Sequence, residues 1–180
     1  SIPSEHQRFV KVDIELNGPF NSDKMELHLP SWRPGRYELG NFAKNLKGFE
    51  VADENGKALA FHKSDKDTWV IDAKCKMIKE TYLYYAAQPD AGAWYLDHDQ
   101  LYINPVHCCM YCDDRMDERC EIILDLPDDW QVATGMKAAG NFVFESENFD
   151  RLADSPFIAS PSLQHKSYEV NGVEFHIWLQ

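Results

Sequence analysis

The residues most capable of chemistry lie near the middle of the chain, and four of them have the types that bind zinc: His107, Cys109, Cys112 and Cys120. Thiolates and an imidazole are preferred ligands of tetrahedral zinc, so this set is one candidate metal site. A structural zinc site usually has a second cysteine pair beyond a longer loop, and this chain has a single Cys-x-x-Cys pair. Free cysteine is among the most buried residue types, so we favour the simpler interpretation of a buried strand filled with thiols. In such a strand Cys108, Met110 and Cys112 would share one face, and Cys109 and Tyr111 the other.

Hydrolytic signatures are absent from the sequence. No histidine is followed by glutamate, which excludes the zinc-peptidase motif His-Glu-x-x-His, and there is no Gly-x-Ser-x-Gly elbow. Ser155, His165 and Asp154 have the types of a catalytic triad, but a chain with seven histidines offers such a set by chance. We therefore expect this chain to be inactive as a catalyst when it is alone.

Aromatic residues suggest a second class of function. Trp94, Tyr95 and Tyr102 lie near predicted loops, where rings on a β-sandwich can stack on sugars. Aromatic residues also cover the rims of sandwiches and pack against neighbouring domains, which is the interpretation we favour. A carbohydrate-binding or adhesive module stays open as an alternative.

Alternation of apolar and polar residues dominates the sequence and indicates half-buried strands. In the first of them, Val10, Val12 and Ile14 share one face, and charged residues share the other. The predicted strands are residues 9–16, 25–29, 48–53, 58–62, 68–73, 76–87, 100–104, 120–126, 131–134, 141–145, 166–170 and 173–179. Asn171-Gly172 predicts a type I′ hairpin between the last two strands, and residues 54–57 predict a hairpin turn of the same kind.

Helical signals are confined to short stretches at residues 41–46 and 148–153, the second closed by Pro156. Neither is long enough for the crossover helix of a parallel sheet. We therefore predict an all-β fold, a twisted antiparallel β-sandwich with one or two short helical turns. No repeat or linker divides the chain, so residues 1–180 are expected to form a single domain.

Charge and cysteine usage restrict the partners and the compartment. The net charge is −12, and most of the excess acid lies in the second half of the chain. A nucleic-acid-binding protein needs a basic surface, so we expect no nucleic acid partner. No apolar run is long enough to span a membrane, and no signal peptide begins the chain. The odd, clustered cysteines favour the cytoplasm, while a trimmed signal peptide would allow export.

Several stretches also carry motifs in a fixed order. They are Leu29-Pro30-Ser31-Trp32-Arg33-Pro34-Gly35-Arg36-Tyr37, Asn41-Phe42-Ala43-Lys44-Asn45, Lys63-Ser64-Asp65-Lys66-Asp67-Thr68-Trp69, residues 82–86, Pro127-Asp128-Asp129-Trp130-Gln131-Val132-Ala133-Thr134 and Asn148-Phe149-Asp150-Arg151-Leu152-Ala153-Asp154-Ser155-Pro156. Together they resemble the N-terminal domain of the glycyl aminopeptidase family of zinc metallopeptidases. Residues 90–120, with most of the cysteine cluster, depart from the family's motifs.

The resemblance implies a function that depends on chain outside this sequence. In that family the N-terminal β-sandwich precedes a thermolysin-like catalytic domain, which holds the zinc, and often a PDZ-like domain. By resemblance, this chain is a non-catalytic domain that supports the catalytic domain of the same polypeptide and shapes its substrate cleft. The substrate would be a peptide with a free amino terminus, and no cofactor is expected in this chain. The residues expected to face the other domain or the cleft are Trp32, Pro34, Gly35, Tyr37, Asp154, Ser155 and Pro156.

Overall fold

The computed structural model describes residues 8–33, 39–86 and 94–180, and β-strands dominate them. The strands are β1 (Phe9–Asn17), β2 (Lys24–His28), β3 (Leu46–Asp53), β4 (Phe61–Lys63), β5 (Thr68–Asp72), β6 (Met77–Tyr85), β7 (Tyr95–Leu96), β8 (Leu101–Ile103), β9 (Cys120–Ile123), β10 (Gln131–Thr134), β11 (Lys137–Gly140), β12 (Val143–Ser146), β13 (Phe157–Ser160), β14 (Gln164–Val170) and β15 (Val173–Leu179). Every strand pair in the described residues is antiparallel, which confirms the predicted all-β class.

The helical segments of the described residues are short. They are the five-residue helix α1 (Phe149–Ala153) and the 3-10 turns Phe42–Asn45, Pro105–His107 and Asp113–Arg115. The side chain of Asn148 accepts a hydrogen bond from the backbone N–H of Arg151 at 2.9 Å and so caps the start of α1. None of these helices is long and apolar enough to cross a membrane.

The strands form small sheets whose order departs from chain order. β6 is central in a sheet ordered β1-β6-β3, and β5 is central in a sheet ordered β2-β5-β4. The second half of the chain forms a four-stranded sheet, β10-β13-β8-β7, and a three-stranded sheet, β11-β12-β9. β14 and β15 pair only with each other among the described strands.

The first core lies mainly between the sheet β1-β6-β3 and the sheet β2-β5-β4. Its buried members are Met25, Leu27, Leu29, Phe42, Val51, Trp69, Ile71, Ala73, Ile78, Tyr82, Met110 and Cys112. Ile71 and Ile78 have no solvent exposure. Burial of one such aliphatic side chain contributes about 1.5–3 kcal/mol, so the alternation of β5 and β6 is enough to fix which face points inward.

The second core joins the same central sheet to the sheets of the second half of the chain. Its buried members are Val10, Tyr84, Ala86, Trp94, Leu96, Leu101, Ile103, Cys108, Trp130, Phe144, Phe157 and Ala159. Val10 of β1 and Tyr84 of β6 belong to this core, whereas Ile78 and Tyr82 of β6 belong to the first. The sheet β1-β6-β3 is therefore shared by both cores.

Most predicted strands are confirmed within one to three residues at each end, and the differences have physical causes. The prediction missed β7, β11 and β13. β13 is paired on both sides and three of its four residues are buried, so it lacks the period-two alternation of a half-buried strand.

The two predicted hairpin turns differ from each other. Asn171 and Gly172 have φ of 52° and 79°, as a type I′ turn requires. In the turn at residues 54–57, Gly56 has a positive φ of 78° and Asn55 does not, so the prediction of a second turn of the same kind is wrong. The carboxylate of Asp53 holds this turn by accepting the N–H groups of Asn55 and Lys57.

Candidate functional site

The cysteine-rich segment at residues 105–112 connects the two cores. Cys108 is buried in the second core, while Met110 and Cys112 are buried in the first. The hydroxyl of Tyr82 on β6 donates a hydrogen bond to the carbonyl of Cys108. Backbone hydrogen bonds of 2.8 and 2.9 Å then join Tyr111 to His28 at the end of β2. The segment is thus tied to both central sheets of the first half of the chain.

Burial alternates along this segment as expected for core-filling thiols. Cys108 is 1% exposed and Cys112 is 4% exposed, while Cys109 and Tyr111 between them are half-buried. The backbone is a 3-10 turn followed by an extended stretch with a single bridge at Tyr111. Burial therefore alternates along residues 108–112, although this segment is not a continuous β-strand.

Burial favours the neutral form of three thiols, those of Cys108, Cys112 and Cys120. Burial raises the pKa of Cys112 to about 12 and that of Cys120 to about 11, and it also raises the pKa of Cys108. The Sγ atoms of Cys108 and Cys109 are 3.6 Å apart, and the five cysteines are free. A neutral, buried thiol is a poor nucleophile, so burial argues against thiol catalysis at Cys108 and Cys112.

The candidate zinc ligands do not form a metal centre in the described part of the chain. No group of three or more His, Cys, Asp or Glu side chains there is arranged to hold a metal ion. His107 is buried, with its ring 4.1 Å from the ring of Phe42, and the Sγ of Cys120 lies 3.6 Å from the carbonyl of Glu118.

Glu80 is a buried acid that the sequence interpretation missed. It lies on β6, faces the core between Ile14 and Val51 of the adjacent strands, and has no solvent exposure. Neither carboxyl oxygen meets a hydrogen-bond partner among the described residues. Burial raises the pKa of Glu80 to about 8, and the nearby Cys109 adds to the increase. The inward alternation of Ile78, Glu80 and Tyr82 was the available signal.

The first loop predicted to face another domain is partly described. Trp32 is 55% exposed, next to Ser31, whose carbonyl accepts the N–H of Gly40 at 2.8 Å. Pro34, Gly35 and Tyr37 lie outside the described residues. A large aromatic side chain in water is the feature expected of a contact surface.

The second such loop follows helix α1. Asp154 and Pro156 are exposed, and Ser155 is half-buried. The hydroxyl of Ser155 donates to the carbonyl of Arg151 at 2.6 Å, so it ends the helix, while His165 pairs with His176 at 2.9 Å. These partners are structural and do not assemble the triad considered above.

Trp94, one of the aromatic residues of the sugar-binding alternative, is buried and offers no face for stacking. Trp94 is 3% exposed, packs on Tyr84 with ring centroids 4.9 Å apart, and donates its indole N–H to the carbonyl of Asn104 at 2.8 Å. Tyr95 donates to the carboxylate of Asp97 at 2.7 Å. The ring of Trp94 is thus unavailable, and the carbohydrate alternative loses its main residue.

An acidic cavity of about 300 Å³ lies where β2 meets the segment after Cys112. Its acidic lining residues are Glu26, Asp113, Asp114 and Glu118, which outnumber the basic residues Lys24 and Arg115. His28 also lines the cavity, and Arg115 is paired with Glu118. The Nε2 atom of His28 is 3.8 Å from a carboxylate oxygen of Glu26 and 3.8 Å from one of Asp113. Carboxylates lining a concave surface attract cations such as an ammonium group.

Comparison with known proteins assigns this chain to a family. The described residues form antiparallel sheets in a sandwich-like arrangement around two apolar cores. The family model described as "Peptidase M61 N-terminal domain" matches residues 1–161. The chain belongs to this family, which confirms the resemblance found in the sequence.

A solved structure supports the same assignment. The crystal structure of an aminopeptidase N family protein from Idiomarina loihiensis matches with a TM-score of 0.88 and 27% sequence identity. The match covers 97% of this chain and 30% of that chain, so this chain spans less than a third of the length of its solved neighbour. A search of curated proteins gave no match.

Proposed function

We propose that this chain is the non-catalytic N-terminal domain of a zinc aminopeptidase, where it supports the catalytic domain and forms one wall of its substrate cleft. The observation that carries the proposal is the family match over residues 1–161, together with a solved neighbour that is much longer than this chain. The neighbour is described as an aminopeptidase N family protein, and a peptidase with this N-terminal domain needs its catalytic groups elsewhere in the polypeptide.

The structure supports a division of labour. Zinc and the hydrolytic residues are proposed for the rest of the polypeptide, as the resemblance to the glycyl aminopeptidase family implies. The acidic cavity supports a role in attracting the free amino terminus of a peptide, since Glu26 and Asp113 keep 63% and 78% of their side chains exposed. Exposed Trp32 supports a contact with the catalytic domain.

The test is an assay of the full-length polypeptide on peptides that carry a free amino-terminal glycine or alanine. We expect hydrolysis that is abolished by a zinc chelator and restored by zinc, and no hydrolysis by residues 1–180 alone. No hydrolysis by the metal-loaded full-length protein, or hydrolysis by residues 1–180 alone, would overturn the proposal.

A charge variant tests the contribution of this domain to substrate attraction. Asp113→Asn in the full-length protein should raise KM severalfold for substrates with a free amine and leave kcat unchanged, because a carboxylate field acts before chemistry. The control is Asp125→Asn, which removes the same charge from an exposed position on the chain after β9. Equal effects of the two variants would contradict a role for the acidic cavity.

A further inference from the structure

The hairpin of β14 and β15 stays outside both cores. Every residue of the two strands is exposed, and no residue of either belongs to a buried cluster. Near the base of the hairpin, the side-chain amide of Gln180 donates to the carbonyl of Asp99 at 3.2 Å. The family match ends at residue 161, so the hairpin follows the part of the chain that the family model covers.

The register of the hairpin separates its residues into two unlike faces. Directly paired residues of an antiparallel ladder lie on the same face, and alternate pairs lie on opposite faces. One face, named here the apolar face, contains Gln164, Lys166, Tyr168, Val170, Val173, Phe175, Ile177 and Leu179. The other, the polar face, contains His165, Ser167, Glu169, Glu174, His176 and Trp178.

Four residues of the polar face, His165, Glu174, His176 and Trp178, contact one another. The rings of His165 and Trp178 stack with centroids 4.4 Å apart, and His165 pairs with His176 at 2.9 Å. The Nε2 atom of His176 also lies 3.8 Å from a carboxylate oxygen of Glu174. These groups need only water on their outer side.

The apolar face lacks a covering layer in the described structure. Its six apolar side chains are 41–56% exposed, and its internal ring contact is the stack of Tyr168 on Phe175 at 5.2 Å. A two-stranded hairpin is marginally stable in water unless a face packs on something else. Contiguous exposed apolar surface of this kind marks an interaction site.

We propose that the apolar face packs against the polypeptide that follows Gln180, which under the proposed function is the catalytic domain. The inference rests on that function for the identity of the partner. The solved neighbour matches 97% of this chain, so most of the 16-residue hairpin, residues 164–179, lies inside the match. The match covers 30% of the neighbour's chain, so most of that protein lies outside the match. Because the matched family model is that of an N-terminal domain, we place the additional polypeptide after it.

The position of the chain exit favours this partner over a second copy of the domain. Val170 pairs with Val173 at the tip and Gln164 pairs with Leu179 at the base, so the chain leaves the hairpin at its base. Whatever follows starts beside the apolar face, at an effective concentration that no free partner reaches. Lys166 is the one charged residue on that face, so the covering surface should be apolar.

Hydroxyl-radical footprinting of the full-length protein tests the packing directly. Labelling of Tyr168 and Phe175 on the apolar face is compared with labelling of Trp178 on the polar face, each relative to the denatured protein. We expect several-fold stronger protection of Tyr168 and Phe175 than of Trp178, independent of protein concentration. Equal labelling would overturn the proposal, and so would protection that disappears on dilution, because that result assigns the face to a second copy.

A matched pair of variants adds an energetic readout. Ile177→Lys and Trp178→Lys are neighbours on β15 with similar exposure, 41% and 36%, and they point to opposite faces. In the full-length protein, Ile177→Lys should lower the thermal midpoint or split the transition, and Trp178→Lys should do so less. Equal effects would contradict the proposal. A full-length protein that hydrolyses peptides but leaves Phe175 unprotected would refute this packing alone, and the reverse result would refute the peptidase role alone.

Discussion

The buried carboxyl of Glu80 makes the stability of this domain fall as pH rises through the neutral range. Burial raises the pKa of Glu80 from its ordinary value of 4.5 to about 8. Below pH 4.5 the carboxyl is protonated in both states, so it contributes no pH dependence there. Above pH 4.5 the unfolded chain releases this proton while the folded chain retains it, and the unfolded state gains relative to the folded state.

The size of the effect follows from the same two values. Between pH 4.5 and pH 8 the free energy of unfolding should fall by about 1.4 kcal/mol per pH unit because of this one group. Over the whole window the loss is about 5 kcal/mol, which is a large part of the stability of an ordinary domain. Above pH 8 both states are ionised and the loss stops.

The perturbation that isolates this effect is Glu80→Gln, which keeps the shape of the side chain and removes its titration. Urea unfolding of the parent and the variant at half-unit steps from pH 4 to pH 9 gives a difference curve. We expect the variant to gain on the parent by about 1.4 kcal/mol per pH unit between pH 5 and pH 8. Asp13, Asp53, Asp65 and Asp97 have lowered pKa values because of hydrogen bonds, and they cancel in the difference.

The control is Glu50→Gln, the same chemical change at an exposed position of the adjacent strand β3. Glu80→Met serves if a buried amide prevents folding, because it also removes the titration and leaves no polar atom without a partner. A flat difference curve for both Glu80 variants would refute the reasoning, since it would mean that Glu80 titrates as it does in water.

Three further predictions concern packing and backbone. Tyr82→Phe should lower the free energy of unfolding in urea by about 1–3 kcal/mol, because it leaves the buried carbonyl of Cys108 without its donor. Tyr85→Phe, at a 44% exposed position, should change it little. Equal losses would contradict the role of the Tyr82 hydroxyl. Cys108 and Cys112 should resist a disulfide reagent at pH 8 until the protein unfolds, because their side chains are 1% and 4% exposed. Rapid labelling of all five thiols in the folded state would contradict this and show that the segment opens. Gly56→Ala should lower the stability of the fold by about 1 kcal/mol, because Gly56 has a φ of 78°. Gly135 has equal space around its Cα but no positive φ, so Gly135→Ala should lower stability less. A reversed order in thermal unfolding would contradict the turn geometry.

The sequence predicted strands well where one face is buried and the other is in water. β1 and β10 are recovered almost residue by residue, because period-two alternation reports burial of one face. β13 escaped because both of its faces are covered, and β7 because two residues are too few to show a period.

The candidate site was less predictable because its properties depend on which residues meet. Burial alternates along residues 108–112 as in a buried strand, but Cys108 and Cys112 enter different cores. Contacts from Tyr82 and His28 take the place of the expected strand ladder. The exposure of Trp32 and the burial of Trp94 agree with the interpretations favoured from the sequence, but residue type alone does not distinguish the two tryptophans. The acidic cavity joins β2 to residues about 85 positions later, and no local pattern carries such a pairing.

The sheet shared by the two cores has a consequence for how the domain forms during synthesis. Residues up to 86 contain every strand of the first core, yet Met110 and Cys112 are also members of that core. Tyr84 of β6 belongs to the second core, whose members include much later residues such as Phe157. A nascent chain therefore shows incomplete apolar surfaces until almost the whole domain has left the ribosome. We expect the two cores to fold and unfold in one cooperative step. A destabilising substitution in either core would then lower the stability of the other.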